Sequence, residues 1–303
     1  MMLNEGPCET PTIHLGVPTR LAGLTIFPAW TDQATPRRAL TTTLPDHATI
    51  TEIPDGPQVD KLFLANPSEL AFVVLEGLLV AGGWQHRVLT HSWLIGPQDD
   101  YVLDVRCIEQ GRWKGDEAHG IDRRRAPLSI RGALRGQGGP TTEGRRVDQG
   151  EVWSRVHSYE ASYGSSQTGS LVDVMDAVLE PTERERVPKA LPGQRGVLIG
   201  IAGHPVLLEL FDHPRTFAGQ LTTLVEGLLL DGIRQPWVPT SGRRARAFAR
   251  AASNRQLEPV QEAGIGLVAE TRDTLVDVRG LADHRNRLVH AAAVNVRHQL
   301  VAA

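Results

Sequence analysis

Hydrophobic and polar positions divide this chain into three regions of different periodicity. In the first third, prolines interrupt short apolar runs too closely for long helices, which predicts strands. From about residue 148 to 254 apolar side chains recur mainly at helical spacing, and the end of the chain returns to strand-like runs. The order predicts an α+β protein with largely antiparallel β-sheet, hairpins at both ends of the chain and several helices in the middle.

The strand predictions follow from short apolar runs bounded by turn residues. Gly96-Pro97-Gln98-Asp99-Asp100 has the composition of a hairpin loop, so the strands before and after it should be antiparallel neighbours. The predicted strands are 24–29, 48–53, 61–65, 71–75, 87–95, 101–108, 195–202, 204–211, 274–282 and 287–296.

The helix predictions follow from apolar spacing and from capping residues. Asp148 stands three residues before Glu151, as in a capping box. Pro214 lies just inside an apolar helical pattern and predicts a helix start, with Asp212 or His213 as its cap. The predicted helices are 148–162, 170–179, 214–231 and 243–254.

Residues 114–147 form a segment with seven glycines and with eight basic against four acidic side chains, a net charge of about +4. One interpretation is a solvated loop between subdomains, and the other is a basic lid over an anionic ligand. Because no aromatic residues interleave with its arginines, nucleic-acid binding is not indicated. The chain therefore divides into a β-rich part at 12–113, this basic loop, and an α+β part at 148–303 that should form one compact unit with the first.

Composition excludes several classes of protein. The 32 basic and 35 acidic residues give a net charge of -3, which neither attracts nor repels nucleic acid strongly. Cys8 and Cys107 form no disulfide framework, and the apolar run around Glu76 is too short to span a bilayer. No signal peptide pattern is visible. We expect a soluble cytoplasmic protein without a membrane partner, and the sequence leaves its oligomeric state open.

No complete catalytic or metal-binding motif stands in the sequence. The eleven histidines include no H-E-x-x-H pair and no Cys/His set at zinc spacing. A Walker A loop, a G-x-S-x-G elbow and a G-x-G-x-x-G after a strand are also missing. Gly264-Ile265-Gly266 precedes strand-like sequence, which indicates a turn. We therefore expect neither a metal site nor a cofactor.

The strongest candidate site is a polar strand end, Cys107-Ile108-Glu109-Gln110-Gly111-Arg112-Trp113. Trp84-Gln85-His86-Arg87 opens the preceding strand, so a hairpin would bring the two groups together. In a functional interpretation the arginines bind a phosphate or carboxylate, the glutamines orient the ligand and the indole stacks on its ring. The candidate ligand-binding residues are Gln85, Arg87, Gln110, Arg112 and Trp113, with Glu109 as general acid or base.

Each candidate also has a structural interpretation. Glu109 could pair with an arginine and close the sheet end, with Trp113 packed over that arginine. Gln149, at a helix start that offers free N–H donors, is a further candidate ligand contact, but the same helix start is explained by capping. Glu209 belongs to a third polar group, beside Asp212, for which capping is again the simpler explanation.

Several of these stretches, taken in order, resemble one family: the ARG and Rhodanese-Phosphatase-superfamily-associated protein domain, a prokaryotic family without an established activity. The resemblance runs through nearly the whole chain. It is carried by Leu24-Thr25-Ile26-Phe27-Pro28, Leu75-Glu76-Gly77, Gln85, Arg87, the 107–113 stretch, Asp148-Gln149-Gly150, Trp153, Glu209-Leu210-Phe211-Asp212 and Gly264-Ile265-Gly266.

The resemblance implies a function, because the family is associated with ADP-ribosylglycohydrolases and rhodanese-phosphatase proteins. It implies binding or sensing of a nucleotide-derived anionic ligand such as ADP-ribose, in a prokaryotic conflict or stress system. One alternative is a hydrolase or transferase acting on an ADP-ribosyl or nucleotide substrate through Glu109, and another is a protein-interaction scaffold. Relatives tend to carry a glutamate pair where this chain has Leu78-Leu79, and a lysine where it has Trp84. The difference implies a member that binds without turnover or uses Glu109 alone.

Overall fold

The computed structural model describes residues 7–136, 146–179 and 181–302 and contains two main β-structures. Ten strands form a large sheet, six close into a barrel, and two pair separately. All the pairs between these strands are antiparallel, which confirms the predicted α+β class with antiparallel sheet. The strands are Cys8–Glu9 (β1), Ile13–Leu15 (β2), Thr19–Leu21 (β3), Leu24–Thr31 (β4), Thr49–Thr51 (β5), Lys61–Asn66 (β6), Phe72–Val74 (β7), Leu78–Gly82 (β8), Arg87–Leu89 (β9), Trp93–Ile95 (β10), Asp99–Cys107 (β11), Ala118–Arg125 (β12), Gly196–Ile201 (β13), His204–Phe211 (β14), Gln256–Ala263 (β15), Gly266–Arg272 (β16), Val276–Ala282 (β17) and Leu288–Asn295 (β18).

The large sheet has the order β1-β15-β16-β17-β18-β14-β13-β4-β2, with β3 also paired to β4. The barrel has the order β11-β6-β5-β12-β8-β9, and β7 pairs with β10. The described helices are Leu128–Ala133 (α1), Gln149–Tyr163 (α2), Leu171–Val178 (α3), Pro181–Glu185 (α4), Pro214–Arg234 (α5), Gly242–Ala252 (α6) and Gln299–Ala302 (α7).

The long helix α5 shows how the local sequence specifies an element and its packing. Pro214 occupies the first turn, where its missing N–H costs nothing, and the His213 side chain accepts a hydrogen bond from the Arg215 N–H. Leu221 and Leu228 lie on the buried face of the helix, within the core cluster that the large sheet and the barrel share. Burying each leucine side chain contributes about 1.5–3 kcal/mol. Because these side chains pack into the shared core, the helix stabilises the contact between the two β-structures.

The predicted loop at 114–147 contains regular structure, which corrects the sequence-based interpretation. Ala118–Arg125 is a strand of the barrel and Leu128–Ala133 is a helix, and the side chains of Arg125, Arg131 and Arg135 are buried. The pattern misled because the carboxylates that neutralise these arginines come from distant parts of the chain. Residues 137–145 of the predicted lid, which include Arg145, lie outside the described residues.

One strand prediction was wrong in part, and two of the longer strands of the large sheet were not predicted. The run 87–95 is split into β9 and β10, and only β9 pairs with β11 in the barrel, while β10 pairs with β7. The strands β15 and β16 were also not predicted, because polar residues and Pro259 interrupt the apolar pattern of β15, and β16 has only a short apolar run at 267–269. Gly264 forms the turn between them with a φ of 71°, as the turn prediction requires.

Candidate functional site

The strand end predicted from the sequence is assembled in the structure by the pairing of β9 with β11. Arg87 stands directly opposite Cys107 in this antiparallel pair. Gln85 therefore reaches the next turn, where its Nε2 donates a hydrogen bond to the backbone oxygen of Glu109 over 2.9 Å. The β9–β11 pair thus brings the two predicted polar groups together, although the two strands do not form the predicted hairpin.

The carboxylate of Glu109 is held by protein groups on both of its oxygens. Arg112 donates from Nε to Oε1 over 2.8 Å and from Nη2 to Oε2 over 2.6 Å. The hydroxyl of Thr168 and the N–H of His86 donate to the same carboxylate. Burial by itself raises the pKa of Glu109, but these hydrogen bonds outweigh it and lower that pKa below its ordinary value. Arg112 also donates to the backbone oxygen of Gly83, so the pair closes the sheet end.

Arg87 is fully buried beside this pair. Its guanidinium lies 5.9 Å from the centre of the Trp113 ring, and its Nη2 lies 4.0 Å from Oε1 of Glu52. Nε and Nη1 of Arg87 have no hydrogen-bond partner among the described residues. Trp113 is 46% exposed and packs edge-on against Trp84. The indole therefore covers the arginine while leaving part of its own surface accessible.

The remaining two predicted contacts lie at the edge of this network. Gln149 accepts from the Cys107 N–H and donates to the Cys107 oxygen, so it binds the strand as a neighbouring strand would. Gln110 is exposed. Neither of the two cavities described below is lined by any of the predicted site residues. The roles of the predicted site residues in ligand binding and catalysis therefore stay predictions.

A second concentration of charge lies where the barrel meets the large sheet, and we call it the arginine cluster. It consists of Arg125, Arg131, Arg135 and Arg279 around the carboxylates of Glu76 and Glu209, all of them buried or nearly so. Nη2 of Arg131 lies 2.8 Å from Oε2 of Glu209, and Nη1 of Arg125 lies 3.1 Å from Oε1. Glu76 contacts Arg135 at 3.0 Å and Arg279 at 3.6 Å. Buried charges of this kind require opposite charges beside them.

The electrostatics of the arginine cluster keep both carboxylates ionised. Burial by itself raises the pKa of Glu76, but Arg135, Arg131 and Arg279 lower it to about 2. The pKa of Glu209 is likewise well below its ordinary value, because Arg125 and Arg131 outweigh its burial. Both glutamates belong to stretches that carry the family resemblance. Only the tertiary structure brings them to one place.

A hydrogen-bonded chain of three side chains runs out of the arginine cluster. His290 Nε2 lies 3.1 Å from Oε1 of Glu209, and its Nδ1 lies 3.1 Å from the hydroxyl of Ser92. Since the glutamate is ionised, Nε2 carries the proton and Nδ1 accepts from the serine. Burial lowers the pKa of His290, so the ring is neutral at pH 7. Ser92 is itself buried and lines neither of the two cavities. The three hydrogen-bonded side chains therefore hold the arginine cluster in position.

The first cavity adjoins the arginine cluster between β11 and the strands β15 to β17, and we call it the barrel cavity. Its volume is about 340 Å³. Its polar lining includes His91, Arg106, Arg146, Gln261 and Arg279, and its apolar lining is Leu134, Val147, Val260 and Val268. Cavities of this size and mixed lining are typical of small-molecule sites.

The groups in the barrel cavity are fixed in place by their neighbours. The His91 ring lies 2.8 Å from the amide nitrogen of Gln261 and stacks on Trp93. Burial lowers the pKa of His91 to about 4, so the ring is neutral. Arg106 donates from Nε and Nη1 to backbone oxygens, while its Nη2 has no hydrogen-bond partner among the described residues.

The second cavity lies beside α1, α2 and α7, and we call it the helix cavity. Its volume is about 490 Å³. Its charged lining is Arg135, Arg146, Asp148, Glu151, Arg155, Arg272 and Asp277. Arg146 lines both cavities, so they are neighbours across one side chain. This lining carries acceptors as well as donors.

Sequence reasoning did not select Arg106 or Arg279, and it included Arg146 only as part of the possible basic lid at 114–147. One signal was available: Asp277 and Arg279 interrupt an otherwise apolar run in β17, as Glu76 interrupts the run before β8. A charge inside an apolar run indicates a buried ion pair or a site. Among the described residues, no group of three or more His, Cys, Asp or Glu side chains is arranged to hold a metal ion. Within the same part of the chain, every helix is too short or too polar to cross a bilayer.

Comparisons with known proteins give one informative match. No curated protein matches the chain at a significant level. Among solved structures, an inactive mutant of CurK dehydratase is 10% identical, with 93% of this chain and 95% of that chain covered and a TM-score of 0.13, a similarity too low to support any argument. The profile of the ARG and Rhodanese-Phosphatase-superfamily-associated Protein domain matches residues 12–294. Because this match spans most of the described β-structure and the helices between, the chain belongs to that family.

Proposed function

We propose that this protein binds a small nucleotide-derived anion, such as ADP-ribose, in the barrel cavity. The observation that carries the proposal is a lining that combines apolar side chains with Arg106 and Arg146, while Arg279, which also lines the cavity, is paired with Glu270 and Glu76. A base or another flat ring buries its faces against apolar side chains, and phosphate oxygens accept hydrogen bonds from guanidinium groups.

The charge balance of the barrel cavity supports an anionic ligand. Asp104 is paired with Lys61, and Glu270 is paired with Arg279, so both acidic side chains of the lining have basic partners. Arg106 has no ion pair with a described residue, and its Nη2 has no hydrogen-bond partner among those residues. Among the described residues, the uncompensated charge of the lining is therefore positive.

The predicted cluster around Glu109 contributes to this function indirectly. Glu109, Arg112 and Gln85 hydrogen-bond to one another and to the backbone at one end of β11. Arg106, on the same strand, reaches the cavity. We assign the cluster the task of fixing the end of that strand, so that Arg106 is held in position.

Titration calorimetry with ADP-ribose, AMP and NAD tests the proposal. We expect heat with ADP-ribose, and a loss of affinity of about tenfold or more in Arg106→Gln, because a hydrogen bond to a charged group contributes about 1.5–3 kcal/mol. Arg243→Gln, at an exposed position of α6, is the matched control and should bind as the wild type does. Absence of heat with all three compounds at millimolar concentration would overturn the proposal.

A further inference from the structure

The barrel cavity and the helix cavity share the side chain of Arg146, which is exposed. A ligand longer than a mononucleotide could therefore occupy both cavities and cross this arginine. The two linings differ in chemistry, and the difference indicates which part of such a ligand each cavity suits.

The helix cavity contains buried guanidinium groups with N–H donors that make no hydrogen bond to a described residue, although the Asp277 carboxylate lies 3.6 Å from Arg135 Nη1 and 3.7 Å from Arg272 Nε. Arg135 is 2% exposed, lines the cavity, and its Nε and Nη1 make no hydrogen bond to a described residue. Nη1 of Arg272 is also buried and without a hydrogen-bond partner among those residues. Buried polar groups are normally satisfied, so these N–H groups require an acceptor from water or from a ligand.

Acceptors lie in the same lining. Asp148 and Glu151 contribute carboxylates, and Asp148 uses one oxygen to cap α2. Glu151 pairs with Arg155, and Asp277 lies beside Arg135 and Arg272, so carboxylates already offset several of the guanidinium charges in this lining. A hydroxyl group both donates and accepts, and it can bind to either kind of side chain. A lining that mixes guanidinium and carboxylate groups therefore suits a sugar. The apolar side chains of the barrel cavity suit a base instead.

Resting on the proposed function, we propose that the ligand is a nucleoside diphosphate sugar that bridges the two cavities. Its base lies in the barrel cavity, its diphosphate lies beside Arg146, and its terminal sugar lies in the helix cavity. Arg135 and Arg272 donate to the sugar hydroxyls, and Asp148 accepts from them.

Calorimetry with ADP and ADP-ribose isolates the contribution of the terminal sugar. We expect the wild type to bind ADP-ribose about tenfold more tightly than ADP. Arg272→Gln should bring the affinity for ADP-ribose down to that for ADP and leave ADP binding unchanged. Asp148→Asn should act in the same direction, because asparagine keeps the helix cap and removes the carboxylate charge. Arg243→Gln is again the control that should change neither affinity.

The outcomes separate this inference from the proposed function. Equal affinities for ADP and ADP-ribose in the wild type, or equal losses for both in Arg272→Gln, would overturn the bridging mode and leave nucleotide binding standing. No heat with either compound would overturn both proposals. Thermal melts of each variant show whether a loss of binding reflects unfolding.

Discussion

Nη2 of Arg135 lies 3.0 Å from Oε1 of Glu76, although 59 residues separate the two in the chain. Arg135 follows α1, and Glu76 lies between β7 and β8. Glu76 also faces Arg279 of β17, so a single carboxylate joins the barrel region to the large sheet. The barrel cavity lies at this junction, and its shape therefore depends on the ion pairs behind it.

Glu76→Gln should destabilise the protein by about 3–5 kcal/mol, because it leaves the facing arginines buried without their negative partner. Urea denaturation measures the loss. Glu183→Gln is a control, since Glu183 pairs with Arg186, a partner with an exposed side chain, and should change stability by less than about 1 kcal/mol. Equal effects of the two substitutions would contradict a central role for Glu76.

The free energy of unfolding should depend on pH through the ionisation of Glu76. Its pKa is about 2 in the folded protein, below the ordinary value of 4.5. A lowered pKa contributes stability that is fully present above pH 4.5 and is lost as the pH falls toward 2. The free energy of unfolding of the wild type should therefore approach that of Glu76→Gln across this range. A constant difference between them would contradict the prediction.

Asp231 should act with the opposite sign. It accepts hydrogen bonds from Tyr159 and from the Leu128 N–H, but burial raises its pKa from 3.8 to about 6. Its contribution to stability therefore declines as the pH rises from 3.8 to about 6, by about 3 kcal/mol in total. Asp231→Asn should remove this decline. Chemical denaturation at pH 4 to 7 compares the two proteins, and parallel curves would count against the assignment.

Glu109→Gln tests whether the predicted acid or base has a structural role. Arg112 would lose its carboxylate partner, so we expect a loss of about 1–3 kcal/mol in urea denaturation with ADP-ribose binding preserved. Gln110→Ala, at the exposed neighbouring position, should leave both unchanged. If Glu109→Gln instead abolishes turnover of an ADP-ribosyl substrate while the fold and binding persist, the hydrolase or transferase alternative is correct.

Two glycines of α5 form a matched pair for testing how closely this helix approaches the barrel. A Cβ on Gly227 would lie 2.0 Å from the backbone oxygen of Arg125, whereas a Cβ on Gly219 would meet nothing within 4 Å. Gly227→Ala should cost about 1–3 kcal/mol or more, because backbone has to move. Gly219→Ala should stabilise by about 0.5–1 kcal/mol through helix propensity. Thermal melts that rank the two alike would contradict this packing.

Local patterns determined most of the helices and much of the sheet. Asp148 caps α2 as predicted, Ser170 caps α3, and Pro214 starts α5, because capping depends on residues next to one another in the chain. The pairing of the strands that carry Arg87 and Cys107 was predicted, but the hairpin at 96–100 on which that prediction depended was wrong: β10, just before that loop, pairs with β7, and β9 pairs with β11. The barrel was not predicted, since its closure brings together β5, β8 and β12 from separate parts of the chain.

The sequence by itself determined the α+β class, the family and the position of the polar strand end. Only the tertiary structure decided the partners of the charged side chains. Arg131 lies in a glycine-rich, basic stretch and looked solvated, yet Glu209, 78 residues later, neutralises it in the core. Local patterns record the spacing of residues along the chain, whereas electrostatic compensation depends on distance in space, and folding alone brings these charges together.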